Sequence, residues 1–310
     1  MKNNLLSIDR RTLLGGLAAM TMSTTTVPFG NAADAPAAKY PVAMFGKVFK
    51  NHTYKQLAEI LRIVDADGVE ATIRRDGHID PGRSGYGDEI RQMVSTLKQA
   101  DKQILIAATD VNEASPASRE LLTRLRDADV MFYRLGYYRY AGDLPLMDQL
   151  KRFADQAKAL AALNEELGMV GIYQNHASGD QVGSLIWDLA ILFDGISKEH
   201  LGVALDLRHL RVEISGSFET AIEAIGPHIR SVYLKDAKRI GPSPDDVVEV
   251  PLGEGMANAK LFQTVMRWVD PAPICVHVEY FGQDPIALGD DAAVIQANKT
   301  DIATARSWLA

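Results

Sequence analysis

Short apolar runs alternate with longer amphipathic stretches from residue 40 to the end of the chain. Gly, Asp, Pro or Asn residues bound each short run, and this combination is typical of buried β-strands. The predicted strands are residues 42–46, 68–74, 103–109, 130–135, 169–175, 201–207, 229–235 and 274–280.

The stretches between these runs carry apolar residues three and four positions apart, which is the period of an α-helix with one buried face. The clearest case includes Leu150, Ala154, Ala157 and Leu160. The predicted helices are residues 54–65, 87–100, 115–127, 144–167, 182–193, 218–225, 258–268 and a last helix that ends at Leu309.

Strands that alternate with helices in this way are expected to be parallel and joined by right-handed crossovers. Eight such units favour closure into a single (β/α)8 TIM barrel over an open doubly wound sheet. The sequence also lacks the phosphate-binding loop of a nucleotide-binding fold, because no G-x-G-x-x-G follows the first strand and no Walker A motif is present. We therefore predict one α/β barrel domain over residues 33–310.

Composition and charge narrow the class of protein further. The chain has 310 residues, 47% of them hydrophobic, and a formal charge of -7 from 33 basic and 40 acidic residues. This composition supports a large core, and the acidic balance argues against nucleic-acid binding. Cys275 is the only cysteine, so no intramolecular disulfide forms, and its apolar surroundings predict a buried structural thiol.

Residues 1–32 have the pattern of a signal peptide. A basic start that includes Arg10 and Arg11 precedes an apolar stretch at 13–22, and cleavage is expected after Ala32. This stretch is far shorter than the roughly 20 residues that span a bilayer, so no permanent membrane anchor is expected. The adjacent arginines resemble a twin-arginine signal, which predicts transport by the twin-arginine export machinery and a periplasmic or otherwise exported location.

In a barrel of this kind, functional residues lie at the carboxyl ends of the strands and in the loops that follow. Charged, imidazole, phenol and amide groups of this chain have that distribution. The candidates are Glu70, Arg74, His78, Arg134, Gln174, His176, Asp206, His209, Tyr233, Lys235, His277 and Glu279. Because residues two apart on a strand share a face, Lys235 is expected on the side of Tyr233, and Glu279 on the side of His277.

Five segments in barrel order resemble the xylose isomerase-like sugar phosphate isomerase/epimerase superfamily. They are Y-Q-N-H at 173–176, V-A-L-D-L-R-H at 203–209, L-K-D at 234–236, P-L-G-E-G at 251–255 and V-H-V-E-Y at 276–280. The segment 68–74 with His78 is similar to an exported branch of that superfamily. The resemblance implies a sugar isomerase- or epimerase-like enzyme that removes a proton next to the carbonyl of a carbohydrate or keto-sugar substrate.

In metal-dependent members of that superfamily, a Glu, an Asp, a His and a Glu on strands five to eight hold one divalent ion. The corresponding residues here are Gln174, Asp206, Tyr233 and Glu279. An amide and a neutral phenol are poor replacements for charged or imidazole ligands. His176 and His277 lie on the same side by alternation, so together with Asp206 and Glu279 they are the candidate ligands for Mn²⁺, Zn²⁺, Fe²⁺ or Mg²⁺.

The replacement of the strand-five glutamate by Gln174 also affects the mechanism. The superfamily's two-base epimerisation needs an acid/base group on that strand, and Gln174 cannot exchange a proton. A one-base reaction remains, in which Glu279 or His176 removes the proton while Lys235 or a metal polarises the carbonyl; Glu70 completes the candidate catalytic set. The candidate substrate-binding residues are Arg74, His78, Arg134, Gln174, Tyr233 and His209.

Two other functions fit these residues. A keto-sugar lyase or hydratase uses the same proton abstraction, and a non-catalytic periplasmic carbohydrate-binding protein would also have lost metal ligands. An ion pair of Lys235 with Asp236 or Glu279 is the structural alternative to a catalytic lysine. Related barrels often pair through helices or strand-end loops, so an oligomer is compatible with this sequence.

Overall fold

The computed structural model describes residues 39–142, 144–214, 216–243, 246–281 and 291–310. The predicted signal peptide therefore lies outside the described residues. Among the residues that are described, no helix combines the length and the apolar character needed to cross a membrane.

Eight parallel strands close into a barrel, as predicted. The chain forms β1 (Val42–Phe45), β2 (Gly68–Thr72), β3 (Gln103–Ala108), β4 (Phe132–Arg134), β5 (Val170–Gln174), β6 (Leu201–Asp206), β7 (Ile229–Leu234), β8 (Asp236–Arg239), β9 (Val247–Val250) and β10 (Ile274–Val276). The barrel strands are β1 to β7 and β10, each paired with its neighbour in that order, and β10 pairs with β1 to close the sheet. Each barrel strand lies inside its predicted run.

Helices surround the barrel, and local sequence fixes where several of them begin. They are α1 (Tyr54–Ile63), α2 (Tyr86–Lys98), α3 (Pro116–Arg126), α4 (Leu146–Leu167), α5 (Trp187–Leu192), α6 (Leu207–Glu213), α7 (Phe218–Ile225), α8 (Ala259–Met266) and α9 (Asp291–Leu309). Thr53 and Ser115 accept hydrogen bonds from the free N–H groups of α1 and α3. Gly168 ends α4 in the left-handed conformation, with φ 67°.

Alternation along the strands separates two layers of core. Outward-facing residues such as Val203, Leu205 and Val232 pack against the helices in the main hydrophobic cluster. Inward-facing residues, including Ile172, Ala204 and Cys275, form a smaller cluster inside the barrel. The next inward positions towards the carboxyl end are polar, so the barrel interior changes from apolar to charged at its functional end.

Three elements differ from the sequence prediction. The helix predicted at 182–193 begins only at Trp187, because Gly183 adopts φ 88° and interrupts the helical backbone. The short helix α6 follows β6 directly, since the Asp206 carboxylate caps it by accepting from the N–H of His209. Strands β8 and β9 form an antiparallel hairpin after β7, in a segment where no strand is predicted.

Candidate active site

Seven polar side chains at the carboxyl end of the barrel form one closed circuit of hydrogen bonds and ion pairs, which we call the polar ring. They lie on β2, β4, β5 and β6 or directly after β7 and β10. In order around the barrel they are Glu70, Arg134, Gln174, Asp206, Lys235, Glu279 and His277. The structure thus brings together seven of the candidates from distant parts of the sequence.

Glu70 is fully buried and accepts four hydrogen bonds. Its Oε1 accepts from Nε of Arg134 at 2.6 Å and from the hydroxyl of Tyr233 at 2.9 Å. Its Oε2 accepts from Nε2 of His277 at 2.9 Å and from the Cys275 thiol at 3.2 Å. Burial would raise the pKa of this carboxyl, but Arg134 and His277 outweigh burial and hold the pKa below its usual range. With both oxygens engaged twice, Glu70 offers no free oxygen to a substrate and instead orients its neighbours.

Arg134 and Gln174 carry the polar ring across β4 and β5. Nη1 of Arg134 donates to Oε1 of Gln174 at 3.1 Å, and the Tyr137 hydroxyl donates to the same oxygen at 2.7 Å. Nε2 of Gln174 then donates to Oδ2 of Asp206 at 2.7 Å. Gln174 therefore links a cation to an anion without adding charge and without a proton that it can exchange.

Lys235 lies between two carboxylates. Its Nζ is 2.8 Å from Oε2 of Glu279 and 3.5 Å from Oδ2 of Asp206, and the residue is only 4% exposed. Burial would lower the pKa of this amine, but the two carboxylates outweigh burial and raise the pKa above its usual value. Lys235 is therefore a buried ammonium at neutral pH.

Asp236 makes no ion pair with Lys235 among the described residues, so of the two ion pairs that were the structural alternative for this lysine, only the one with Glu279 is formed. Its carboxylate accepts the N–H groups of Ala237, Gly253, Gly255 and Ala257. A Cβ at Gly255 would overlap the carbonyl oxygen of Ala237, which explains a glycine in the P-L-G-E-G segment. This set of bonds fixes the loop beside the polar ring.

Glu279 is the accessible acid of the polar ring, with a side chain that is 39% exposed. Partial burial would raise the pKa of Glu279, but Lys235 and His277 hold it below its usual value. His277 is buried between Glu70 and Glu279, with Nδ1 3.7 Å from Oε1 of Glu279, and stacks on Phe45 at 4.2 Å. Burial opposes the charge on His277, but the two carboxylates outweigh burial and raise its pKa above the usual value.

Charges alternate around the polar ring. Glu70, Asp206 and Glu279 are separated by the cations Arg134, Lys235 and His277, with neutral Gln174 between one pair. When His277 is protonated, the three negative and three positive charges cancel. The burial of each ion is then offset by its neighbours.

His176 and His209 lie side by side next to the polar ring, with imidazole centroids 3.9 Å apart. Nδ1 of His209 accepts from the N–H of Ala177 at 3.0 Å, so a neutral His209 carries its proton on Nε2. This Nε2 and Nδ1 of His176 are buried without a hydrogen-bond partner among the described residues. Burial and Lys235 lower the pKa of His176 to about 4 and the pKa of His209 well below its usual value. Both imidazoles are thus neutral groups that a ligand could engage.

Arg74 and His78 lie after β2 at the same mouth. Nδ1 of His78 is 2.7 Å from the Thr72 hydroxyl, and burial lowers the pKa of His78 to about 4. A Cβ at position 46 would lie 3.1 Å from Cε1 of His78, so Gly46 permits this close approach. Arg74 is half-buried and makes no side-chain hydrogen bond or ion pair within the part of the chain that the structure describes.

Comparison with known proteins assigns the fold to a family. The family model for xylose isomerase-like TIM barrels matches residues 59–309. The chain belongs to this family. No curated protein matches its sequence.

Several solved structures share this xylose isomerase-like barrel. D-psicose 3-epimerase from Clostridium cellulolyticum H10, bound to D-tagatose, is 12% identical with a TM-score of 0.64, covering 86% of this chain and 98% of the epimerase. The IOLI protein with a bound zinc atom is 13% identical with a TM-score of 0.66, covering 87% and 98%. A Mycobacterium smegmatis protein of the same fold, in complex with magnesium, is 14% identical with a TM-score of 0.59, covering 87% and 98%. At these identities the likeness establishes the fold alone.

Two of these xylose isomerase-like structures hold a metal, but the candidate ligands of this chain already have other partners. Asp206 and Glu279 both contact the Lys235 ammonium, and Nε2 of His277 already bonds Glu70. A divalent ion between the two carboxylates would meet a positive charge, so this arrangement does not fit one. His176 takes part in none of the polar ring contacts and lies against His209 with the two rings tilted by 37°.

A different group of possible ligands lies deeper in the barrel. Glu70, Cys275 and His277 offer ligand atoms within 4.8 Å of one another. Burial raises the pKa of the Cys275 thiol well above its usual value, and Glu70 is occupied by its four donors. As they stand, these residues form a hydrogen-bonded cluster.

Two further residues at the strand ends contribute to the site, although they are not among the predicted site residues. Tyr137 lies beyond β4 and bonds Gln174, and Arg208 on α6 pairs with Glu249 on β9 at 2.5 Å. The second contact fastens the β8–β9 hairpin to the rim of the barrel. The position of Tyr137 three residues after Arg134 was an available signal, whereas the Arg208 contact depends on a hairpin with no clear sequence pattern.

Proposed function

We propose that this chain is a sugar isomerase-like enzyme that removes a proton next to the carbonyl of a carbohydrate or keto-sugar. Glu279 takes the proton, and the Lys235 ammonium stabilises the oxygen of the resulting enediolate. The single observation that carries this proposal is the contact of 2.8 Å between a buried ammonium and an accessible carboxylate at the barrel mouth. Membership of a family whose solved relatives include sugar epimerases supports it.

Substrate binding would activate this pair. The substrate carbonyl oxygen takes the place of the Glu279 carboxylate at Nζ of Lys235. Loss of that ion pair raises the basicity of Glu279, because the contact with Lys235 helps to hold its pKa down. The carboxylate then removes the proton from the adjacent carbon, the C–H electrons form the C=C bond, and the carbonyl oxygen becomes an oxyanion beside the ammonium.

The fate of the enediolate sets the overall reaction. Aldose–ketose isomerisation follows when Glu279 returns its proton to the former carbonyl carbon, while the hydroxyl proton on the other enediolate oxygen passes to the oxyanion and a new carbonyl forms at the carbon that lost its proton. The N–H on Nε2 of His209 is a donor that a substrate hydroxyl could engage, because it is buried without a described partner. Epimerisation would need a second acid on the opposite face, and Gln174 has no proton to give. Departure of a hydroxyl from the β-carbon would make the same site a lyase.

Solvent exchange tests the proposal directly. Unphosphorylated aldoses and ketoses are incubated with the protein in D₂O after treatment with a chelator, and deuterium at the carbon next to the carbonyl is followed by NMR. We expect exchange with the wild type and at least a hundredfold less with Glu279→Gln, which should still bind sugar. Glu165→Gln is the matched control, because Glu165 is 70% exposed on α4.

Each alternative has its own result. Sugar binding without exchange in the wild type would identify a carbohydrate-binding protein. An ultraviolet-absorbing unsaturated product would identify a lyase. If exchange disappears with the chelator and returns with Mn²⁺ or Zn²⁺, the electrophile is a metal and not Lys235.

A further inference from the structure

The backbone around Arg74 holds its side chain at the mouth of the barrel. The N–H of Ile73 donates to the carbonyl oxygen of Ala108 at 2.8 Å, and Ile73 also bridges to Ile79. The N–H of Gly77 donates to the carbonyl oxygen of Arg74 at 2.9 Å. Arg74 follows Glu70 by four residues, so both belong to the alternation that faces the polar ring.

The Arg74 guanidinium differs from the other cations at this mouth. Arg134 pairs with Glu70, Lys235 with Glu279, and Arg208 with Glu249. The Arg74 side chain makes no hydrogen bond or ion pair among the residues that the structure places. A guanidinium has five N–H donors and stays charged at neutral pH.

The surroundings of Arg74 favour an incoming anion. Partial burial and the like charge of Arg134 lower the pKa of Arg74, and Asp110, Glu70 and Tyr137 oppose this only in part. The charged form is therefore under-solvated and repelled. A negative group beside it would relieve both effects.

The charge of the site indicates which anion fits. With His277 protonated the charges of the polar ring cancel, and Arg74 then adds a single positive charge to the mouth of the barrel. A carboxylate carries one negative charge and matches the two-pronged donor geometry of a guanidinium. A phosphate monoester carries about -1.5 to -2 at pH 7 and would leave part of its charge without a partner.

We propose that Arg74 binds a carboxylate of the substrate, which makes the substrate a sugar acid such as a uronate or a keto-aldonate. The proposal rests on the proposed function in placing the carbonyl of that molecule at Lys235 and Glu279. It adds that one end of the sugar is anionic and lies on the β2 side of the mouth. Arg74 is then a determinant of specificity that takes no part in the proton transfer.

Equilibrium binding tests this inference without turnover. Affinities for D-glucuronate, D-glucose and D-glucose 6-phosphate are measured by calorimetry with the wild type, Arg74→Gln, Arg74→Lys and Arg75→Gln. Arg75 is the matched control, because it is the next residue, carries the same charge and is exposed. We expect the wild type and Arg75→Gln to prefer glucuronate over glucose by tenfold or more. Arg74→Gln should lose that preference, and Arg74→Lys should keep part of it.

Every other outcome counts against the proposal. Equal affinity for glucuronate and glucose, no binding of either, or a preference that survives in Arg74→Gln would overturn it. Tighter binding of the phosphate ester than of glucuronate would assign Arg74 to a phosphate instead. Deuterium exchange on the same sugars separates the two proposals. Exchange on neutral sugars alone would refute the carboxylate-binding role of Arg74. Arg74-dependent binding without exchange would refute the proposed proton abstraction.

Discussion

Replacement of Glu70 by Gln should destabilise the protein more than any other single neutralisation in the polar ring. Glu70 is 0% exposed and contacts both Arg134 and His277. The amide keeps the shape of the side chain but removes the negative charge. Arg134 then remains buried without its counter-ion. The NH₂ group of the new amide takes the place of one acceptor oxygen, so a donor now faces other donors.

The structure gives the scale of the effect. Removal of one partner from a buried ion pair typically costs about 3–5 kcal/mol in the free energy of unfolding. Because 1 kcal/mol shifts the melting temperature of a domain of 150–250 residues by about 2–4 °C, we expect a decrease of roughly 10 °C. Urea and thermal unfolding, followed by circular dichroism, measure both quantities.

Two further variants test the reasoning. Glu59→Gln is the control, since Glu59 is an exposed acid that pairs with Arg62 on the surface of α1, and it should leave the melting temperature unchanged. The double variant Glu70→Gln/Arg134→Met should lose less stability than the sum of the two single variants, because it removes both charges. A loss below about 1 kcal/mol in Glu70→Gln would refute the view that this carboxylate neutralises buried cations.

Two other predictions concern pH and metal. Glu70 and Glu279 have lowered pKa values, so the stability that they contribute is complete above about pH 4.3 and is lost as the pH falls. His277 has a raised pKa, so the stability that it contributes is complete below about pH 6.5 and is lost as the pH rises. The neutral histidines His78, His176 and His209 have lowered pKa values, so the stability that they contribute is complete only above about pH 6.5 and is lost as the pH falls. Melting temperatures from pH 3 to 9 should therefore peak near pH 6.5, and His277→Gln should flatten the alkaline side. Lys235→Met leaves Asp206 and Glu279 facing each other, so Mn²⁺ or Zn²⁺ should raise its melting temperature. The wild type and the exposed control Lys238→Met should show no such rise. The absence of a metal response in Lys235→Met would contradict this prediction.

The barrel itself was predictable because its signal is repeated. Eight apolar runs and the helical periods between them each carry the same information, so an error in one element does not change the fold. Helix α5 shows the limit, because Gly183 interrupts a pattern that otherwise looks helical to residue 193. The β8–β9 hairpin shows another, since it is held by Arg208 and Glu249 from separate elements and not by a strong strand pattern.

The alternation of residues along the strands and the positions of the strand ends also locate the members of the polar ring, but they do not show which side chains contact each other. Register between strands decides that Glu70 contacts Arg134, Tyr233, Cys275 and His277, and no local pattern encodes this register. The sequence therefore presents Glu70 as a candidate catalyst, whereas its four donors make it a buried counter-ion. Exposure then separates Glu279 from the other two acids as the one that a substrate can reach.

The polar ring also changes the meaning of the two missing family ligands. Judged one position at a time, Gln174 and Tyr233 indicate a metal site that has decayed. In the folded chain, Gln174 connects Arg134 to Asp206, and Tyr233 bonds Glu70. Asp206 and Glu279 keep a cation between them, and that cation is the ammonium of Lys235. A divalent ion and a buried lysine both stabilise an oxyanion, so under the proposed function Lys235 takes the role that the metal has in metal-dependent members.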